Sequence, residues 1–306
     1  MNFKGIFKDS SFGIQLFFFI TFIILCNSFS SVLFYLFLFI KTGFSFETTS
    51  QMISAVLTDG NLIREAQFFQ SVGTFLLPSL FLAKLYSLNE KEYLQLETKV
   101  PGSAILLALL SMPALVPFLN LTVYWNEQLQ FPESWSRVEQ VMKELETQAQ
   151  DMFSLMFSSS EPRAIIITFL VIAVIAPIGE EFLFRGVLQN IIGRKIKNHH
   201  LTIWIVAILF SAIHLQFYGF VPRMLLGAYF GYLLYYSKSM WIPVLAHFMH
   251  NALGVWGNYR LASEGMNEID TVGTGDTWIA GLISLLVWGA LFYLFIRKCR
   301  SQNFLP

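Results

Sequence analysis

Charge is scarce in this chain. Asp, Glu, Lys and Arg make up 13% of its 306 residues, about half the usual share in soluble domains (~25%). The two signs balance at 20 residues each, so no basic surface suggests a nucleic-acid partner. There are only two cysteines, Cys26 in an apolar run and Cys299 at the last helix end. They form neither a disulfide framework nor a metal-ligand spacing. No G-x-S-x-G nucleophile motif and no helix-borne H-E-x-x-H pattern occurs. The final residues, Asn303-Phe304-Leu305-Pro306, carry no cysteine for lipidation. No internal repeat or low-complexity linker is evident.

Apolar residues are abundant: 55% of the chain is hydrophobic and 16% aromatic, including 32 Phe. That balance is foreign to a soluble protein of this length and defines an integral membrane protein. The expected fold is an all-α polytopic bundle of about eight transmembrane helices, forming one domain over 1–306. The first apolar run, 12–40, is too long for a signal-peptide core of about 7–15 residues and reads as a retained first span. Further spans are expected at 68–85, 103–124, 164–192, 201–217, 221–236, 241–256 and 277–296, with polar segments at 41–67 and 257–276. Residues 127–160 are polar and acidic, with apolar residues at helical spacing. They suit a surface amphipathic helix, a cap over the bundle or a solvated connector. With the N-terminus inside, 12 Lys and Arg fall in inner segments and seven in outer ones. This asymmetry places both termini in the cytoplasm of a protein of the cell (plasma) membrane.

The organising stretch is Ala164 to Asn190. Fifteen residues, Ala164 to Ile178, apolar but for Thr168, run into Gly179, Glu180, Glu181 and Arg185. At ~1.5 Å per residue they cover about 22 Å of a hydrocarbon core about 30 Å thick. Both glutamates therefore lie inside the bilayer or at its inner rim. A charge there costs about 2.5–3.5 kcal/mol on insertion scales and marks a functional site by default. Glu181 and Arg185, at i and i+4, share a helix face and can pair. Glu180 points about 100° away and keeps a lone pair for chemistry. An ordinary charged helix end is the competing reading, but it would not need so long an apolar run before it.

Two further polar clusters lie in otherwise apolar spans: His214, one turn after Phe210, and the i, i+4 pair His247 and Asn251, with His250 beside it. A histidine in an apolar helix is often just a hydrogen-bonded core residue. Polar residues inside a membrane nevertheless face the bundle interior and find one another. Glutamate and histidine can activate water as general bases. An imidazole and a side-chain amide can donate to the oxyanion formed when water attacks an amide. The set suits peptide-bond hydrolysis. A metal site is the competing chemistry: Glu180, His214 and His247 could hold zinc and leave a position for water. Counting depth from the expected inner span ends leaves Glu180 and His214 more than about 10 Å apart, a discrepancy that the span boundaries must resolve.

E-E-x-x-x-R at Glu180 to Arg185, F-x-x-x-H at Phe210 to His214 and H-x-x-x-N at His247 to Asn251 occur together and in order. In this the chain resembles the CPBP family, which comprises the type II CAAX prenyl endopeptidases and related bacterial bacteriocin-processing and self-immunity proteins. The resemblance covers Ile178 to about Trp256, within a catalytic core expected over 161–260. It implies that Glu180 and His214 activate water, that His247 and Asn251 form an oxyanion hole, and that Glu181 and Arg185 support the site. It carries no role for His250. The partners implied are the lipid bilayer and a membrane-associated peptide or protein substrate. No cofactor is required by this chemistry, although a divalent metal such as zinc is the alternative. A non-catalytic immunity or scaffold protein and a proton-coupled transporter are the rival functions.

Overall fold

The computed structural model describes residues 3–43, 49–264 and 272–301, which are mostly helical with no strand among them. The helices are α1 (Phe12–Lys41), α2 (Thr49–Thr58), α3 (Gly60–Tyr86), α4 (Gly102–Glu127), α5 (Ser136–Met156), α6 (Pro162–Lys195), α7 (His199–Ala212), α8 (Phe220–Ser237), α9 (Trp241–Glu264) and α10 (Trp278–Arg300). Five segments are long and apolar enough to cross a membrane: α1, α3, α4, α6 and the segment containing α10. The protein is therefore an all-α polytopic membrane protein. Length and composition do not establish the expected eight spans, because α7 has only 14 residues and α8 and α9 are more polar. The span expected to end at 256 continues as helix to Glu264, which takes in the first eight residues of the loop expected over 257–276; residues 265–271 of that loop lie outside the described residues.

Several boundaries differ from those expected. The second span begins at Gly60, not 68, because Asp59 caps its first turn and buried Arg64 is satisfied within the protein. The fifth helix ends at Ala212, not 217, so His214 stands in a turn beyond it. That turn deceives a sequence reading because Ile213, Leu215 and Phe217 continue the apolar pattern. Its polar backbone groups are satisfied internally, as hydrocarbon surroundings demand. Asn126 Nδ2 donates to the carbonyls of Phe217 and Tyr218, Ser211 Oγ donates to Phe220 O, and Glu146 of α5 accepts the Tyr218 N–H. Residues 136–156 thus form a helix that reaches over the 213–219 turn.

The depth discrepancy disappears when both residues are measured from the hairpin that joins their helices. Glu180 is 15 residues before Lys195 and His214 is 15 after His199, so each is about 22 Å from it at ~1.5 Å per residue. Glu180 sits mid-helix, not near an inner end.

Lipid tails are as apolar as leucine, so helix association depends on close packing of small residues. A Cβ on Gly179 of α6 would lie 3.0 Å from Phe75 Cβ and 3.3 Å from the backbone of α3. One on Gly73 of α3 would run into Ser30 of α1. Gly227 and Gly231 of α8, spaced G-x-x-x-G, do the same against Ala207 and Ile203 of α7.

Candidate functional site

Helix α6 positions two of the polar residues. It widens into π turns at Leu170–Ile175 and Phe182–Leu188, which bracket the glutamates. Such turns often occur at functional positions. The first ends with the Ala176 N–H bonded to Val171 O. The next residue, Pro177, has no N–H to give, which leaves Ile172 O without a backbone donor in that register. Asn251 Nδ2 of α9 supplies one at 2.8 Å.

Glu181 and Arg185 are fully buried, with Arg185 Nη1 3.0 Å from Glu181 Oε1. Arg185 Nη2 donates to Gly227 O at 2.9 Å, a carbonyl that α8 can bring close because of its glycines. The guanidinium also lies 4.4 Å from the Phe210 ring centre and 5.5 Å from that of Phe230. His247 enters from α9. Its Nδ1 is 2.8 Å from the same Glu181 oxygen, and its ring stacks on Phe230 at 4.8 Å. One carboxylate thus holds both a guanidinium and an imidazole.

Glu180 keeps 12% of its side-chain surface, and its Oε2 is 3.9 Å from His247 Nε2, beyond hydrogen-bond distance. His214 Nδ1 is 2.8 Å from Phe210 O. The Phe210 ring contacts both imidazoles, its centre 5.3 Å from that of His214 and 6.1 Å from that of His247. A carbonyl and a carboxylate only accept hydrogen bonds, so Nδ1 carries the hydrogen in both rings. Nε2 is therefore the atom that each histidine has available for other partners.

Among the described residues no three His, Cys, Asp or Glu side chains converge as a metal ion requires. His247 Nδ1 is paired with Glu181, so Nε2 is the nitrogen through which this ring could ligate a metal, as metal-bound histidines commonly do with their other N–H on a carboxylate.

Sequence reading overlooked three contributors. Phe230 stacks on His247 and on the guanidinium of Arg185. Arg223, in the first turn of α8, lies within Coulombic reach of Glu180, His214 and His250. Gln216 holds Arg223 Nη2 at 2.8 Å and donates to Glu146. A basic residue between apolar flanks was the available signal for Arg223, but it resembles an ordinary loop charge.

These features define a polytopic membrane protein with a buried Glu–His–Arg cluster that three helices and one turn bring together. Residues 162–253 match the family described as Type II CAAX prenyl endopeptidase Rce1-like, a match that supports a CPBP-family intramembrane protease. It spans about three tenths of the chain. An Escherichia coli protein described as an uncharacterized 24.3 kDa protein is 28% identical over 120 residues, covering 37% of this chain and 54% of its own length. The chain thus spans about half of that relative. No solved structure matches.

Proposed function

We propose that the protein is an intramembrane endopeptidase that hydrolyses a peptide bond in a membrane-associated protein or peptide, as CAAX proteases do. The supporting observation is the 3.9 Å gap between Glu180 Oε2 and His247 Nε2, bordered by an imidazole whose other nitrogen is fixed on Glu181. An oxygen atom about 2.8 Å from both would fit there.

Glu180, with His214 Nε2 as second acceptor, takes a proton from water as its oxygen bonds to the amide carbon. The carbonyl π pair moves onto oxygen. The second N–H of the Asn251 amide and His247 Nε2 donate to that oxyanion. Nε2 donates only when both ring nitrogens carry hydrogen, and Glu180 and Glu181 are the adjacent counter-charges. When the tetrahedral centre collapses, the C–N bond breaks and the proton held by Glu180 passes to the leaving nitrogen. The products are an amine and a carboxylic acid, whose remaining proton passes to His214 Nε2 and on to water to leave the carboxylate. Arg185 keeps Glu181, and through it His247, in place.

The Glu180→Gln variant keeps the shape and removes the base. Proteomics of membrane peptides from cells carrying wild-type or Glu180→Gln protein is expected to show cleavage products only with wild type. Identical product sets would end this reading.

A further inference from the structure

Two arginines are fully buried, Arg64 and Arg185, and a third, Arg223, is partly buried; the three are satisfied differently. Arg64 spends its donors on Met156 O, Thr168 and Asn61. Arg185 is paired with Glu181 and Gly227 O. Arg223 has one neutral acceptor, Gln216 Oε1 at 2.8 Å. Its Nη1 is buried without a hydrogen-bond partner, and no carboxylate among the described residues lies within ion-pair distance of it. Glu146, the nearby acid, is engaged with Gln216 and the Tyr218 N–H.

Two further features show that the chain accommodates this cation at some cost. Arg223 is the fourth residue of α8, at the helix end where a positive charge opposes the macrodipole. Gly219 leaves room for the fork: a Cβ there would lie 2.9 Å from Arg223 Nη2 and 3.2 Å from Nη1. Its φ of −81° is open to any residue, so the missing side chain serves the guanidinium and not the backbone. The charge stands within Coulombic reach of Glu180 and His214. A guanidinium with one enclosed, unsatisfied N–H donor on a residue that is itself only partly buried is a group that a carboxylate can satisfy.

We propose that Arg223 is a specificity residue that binds a carboxylate of the peptide substrate, so that the enzyme prefers a chain bearing that anion beside the scissile bond. This rests on the peptidase reading above. The carboxylate can come from a free C-terminus or from an acidic side chain.

The test uses the full chain in nanodiscs, carrying Glu180→Gln to block turnover. Three N-palmitoylated apolar hexapeptides are the probes: one with a free C-terminal acid, one with a C-terminal amide, and one amide with Glu as its last residue. Affinity is read by fluorescence anisotropy against empty nanodiscs. The acid is expected to bind about 10- to 100-fold more tightly than the plain amide, as a charge-assisted contact allows. Arg223→Gln should bring the acid down to the affinity of the amide. A matching gain for the Glu peptide supports a side-chain source, and no gain supports the C-terminus. Equal affinity of all three, including no binding of any, overturns the proposal. So does an undiminished preference in folded Arg223→Gln protein. Should that variant aggregate, Gly219→Ala decides, because a retained preference with the fork displaced overturns the proposal too. Binding is read without turnover, so acid preference without wild-type cleavage sinks only the peptidase reading. Cleavage without acid preference sinks only this inference.

Discussion

Arg185 is held by a carboxylate, a backbone carbonyl and two aromatic faces, so its loss should cost more than one ion pair. Arg185→Met leaves Glu181 buried without a counter-charge. It is expected to destabilise the fold by about 3–5 kcal/mol, read as a shifted unfolding midpoint in mixed micelles. Glu181→Gln on that background should restore part of the loss, and a double-mutant cycle measures the coupling. Arg185→Lys keeps the charge but cannot span both acceptors, and should cost about 1–3 kcal/mol. The contact of Glu181 with Arg185 was legible in the sequence because i, i+4 spacing imposes it. The contact of His247 with Glu181 was not, since it joins residues 66 positions apart through the packing of α6 against α9. Nor was the isolation of Arg223, which is visible only once every neighbouring acceptor is located.

Helix α6 depends on contacts along its length more than on helix propensity. Its π turns carry the same kind of residues as the regular turns beside them, which is why the sequence did not reveal them. Gly179 is a point of close approach to α3. Gly179→Val should force the two helices apart at a cost of about 1–3 kcal/mol, lowering the thermal midpoint in detergent and disturbing Glu180 next to it. The turn after α7 depends in the same way on Asn126, whose amide serves two carbonyls. Asn126→Leu should cost about 1–3 kcal/mol by leaving them unsatisfied away from water. The same midpoint measurement checks it, and a variant as stable as wild type would contradict the role given to this turn.

At the scale of the molecule, apolar runs announced the long helices, while their ends were lost where exposed apolar residues of a turn continued the pattern. The most consequential error concerned α7, whose 14 residues extend only about 21 Å. Its outer surface at Leu201, Ile208 and Leu209, and the turn beyond it at Ile213 and Leu215, are open and suited to acyl chains. Neighbouring α6, with 34 residues, extends about 51 Å. A bilayer with a core of about 30 Å cannot match both, so it must pinch beside the short helix or the long one must lean. If the peptidase reading holds, turnover should therefore respond to lipid choice: faster in vesicles of short-chain phosphatidylcholine, slower in long-chain ones that draw hydrocarbon over the turn bearing His214. The sheet of lipid around the protein would then set how wet its reaction chamber is.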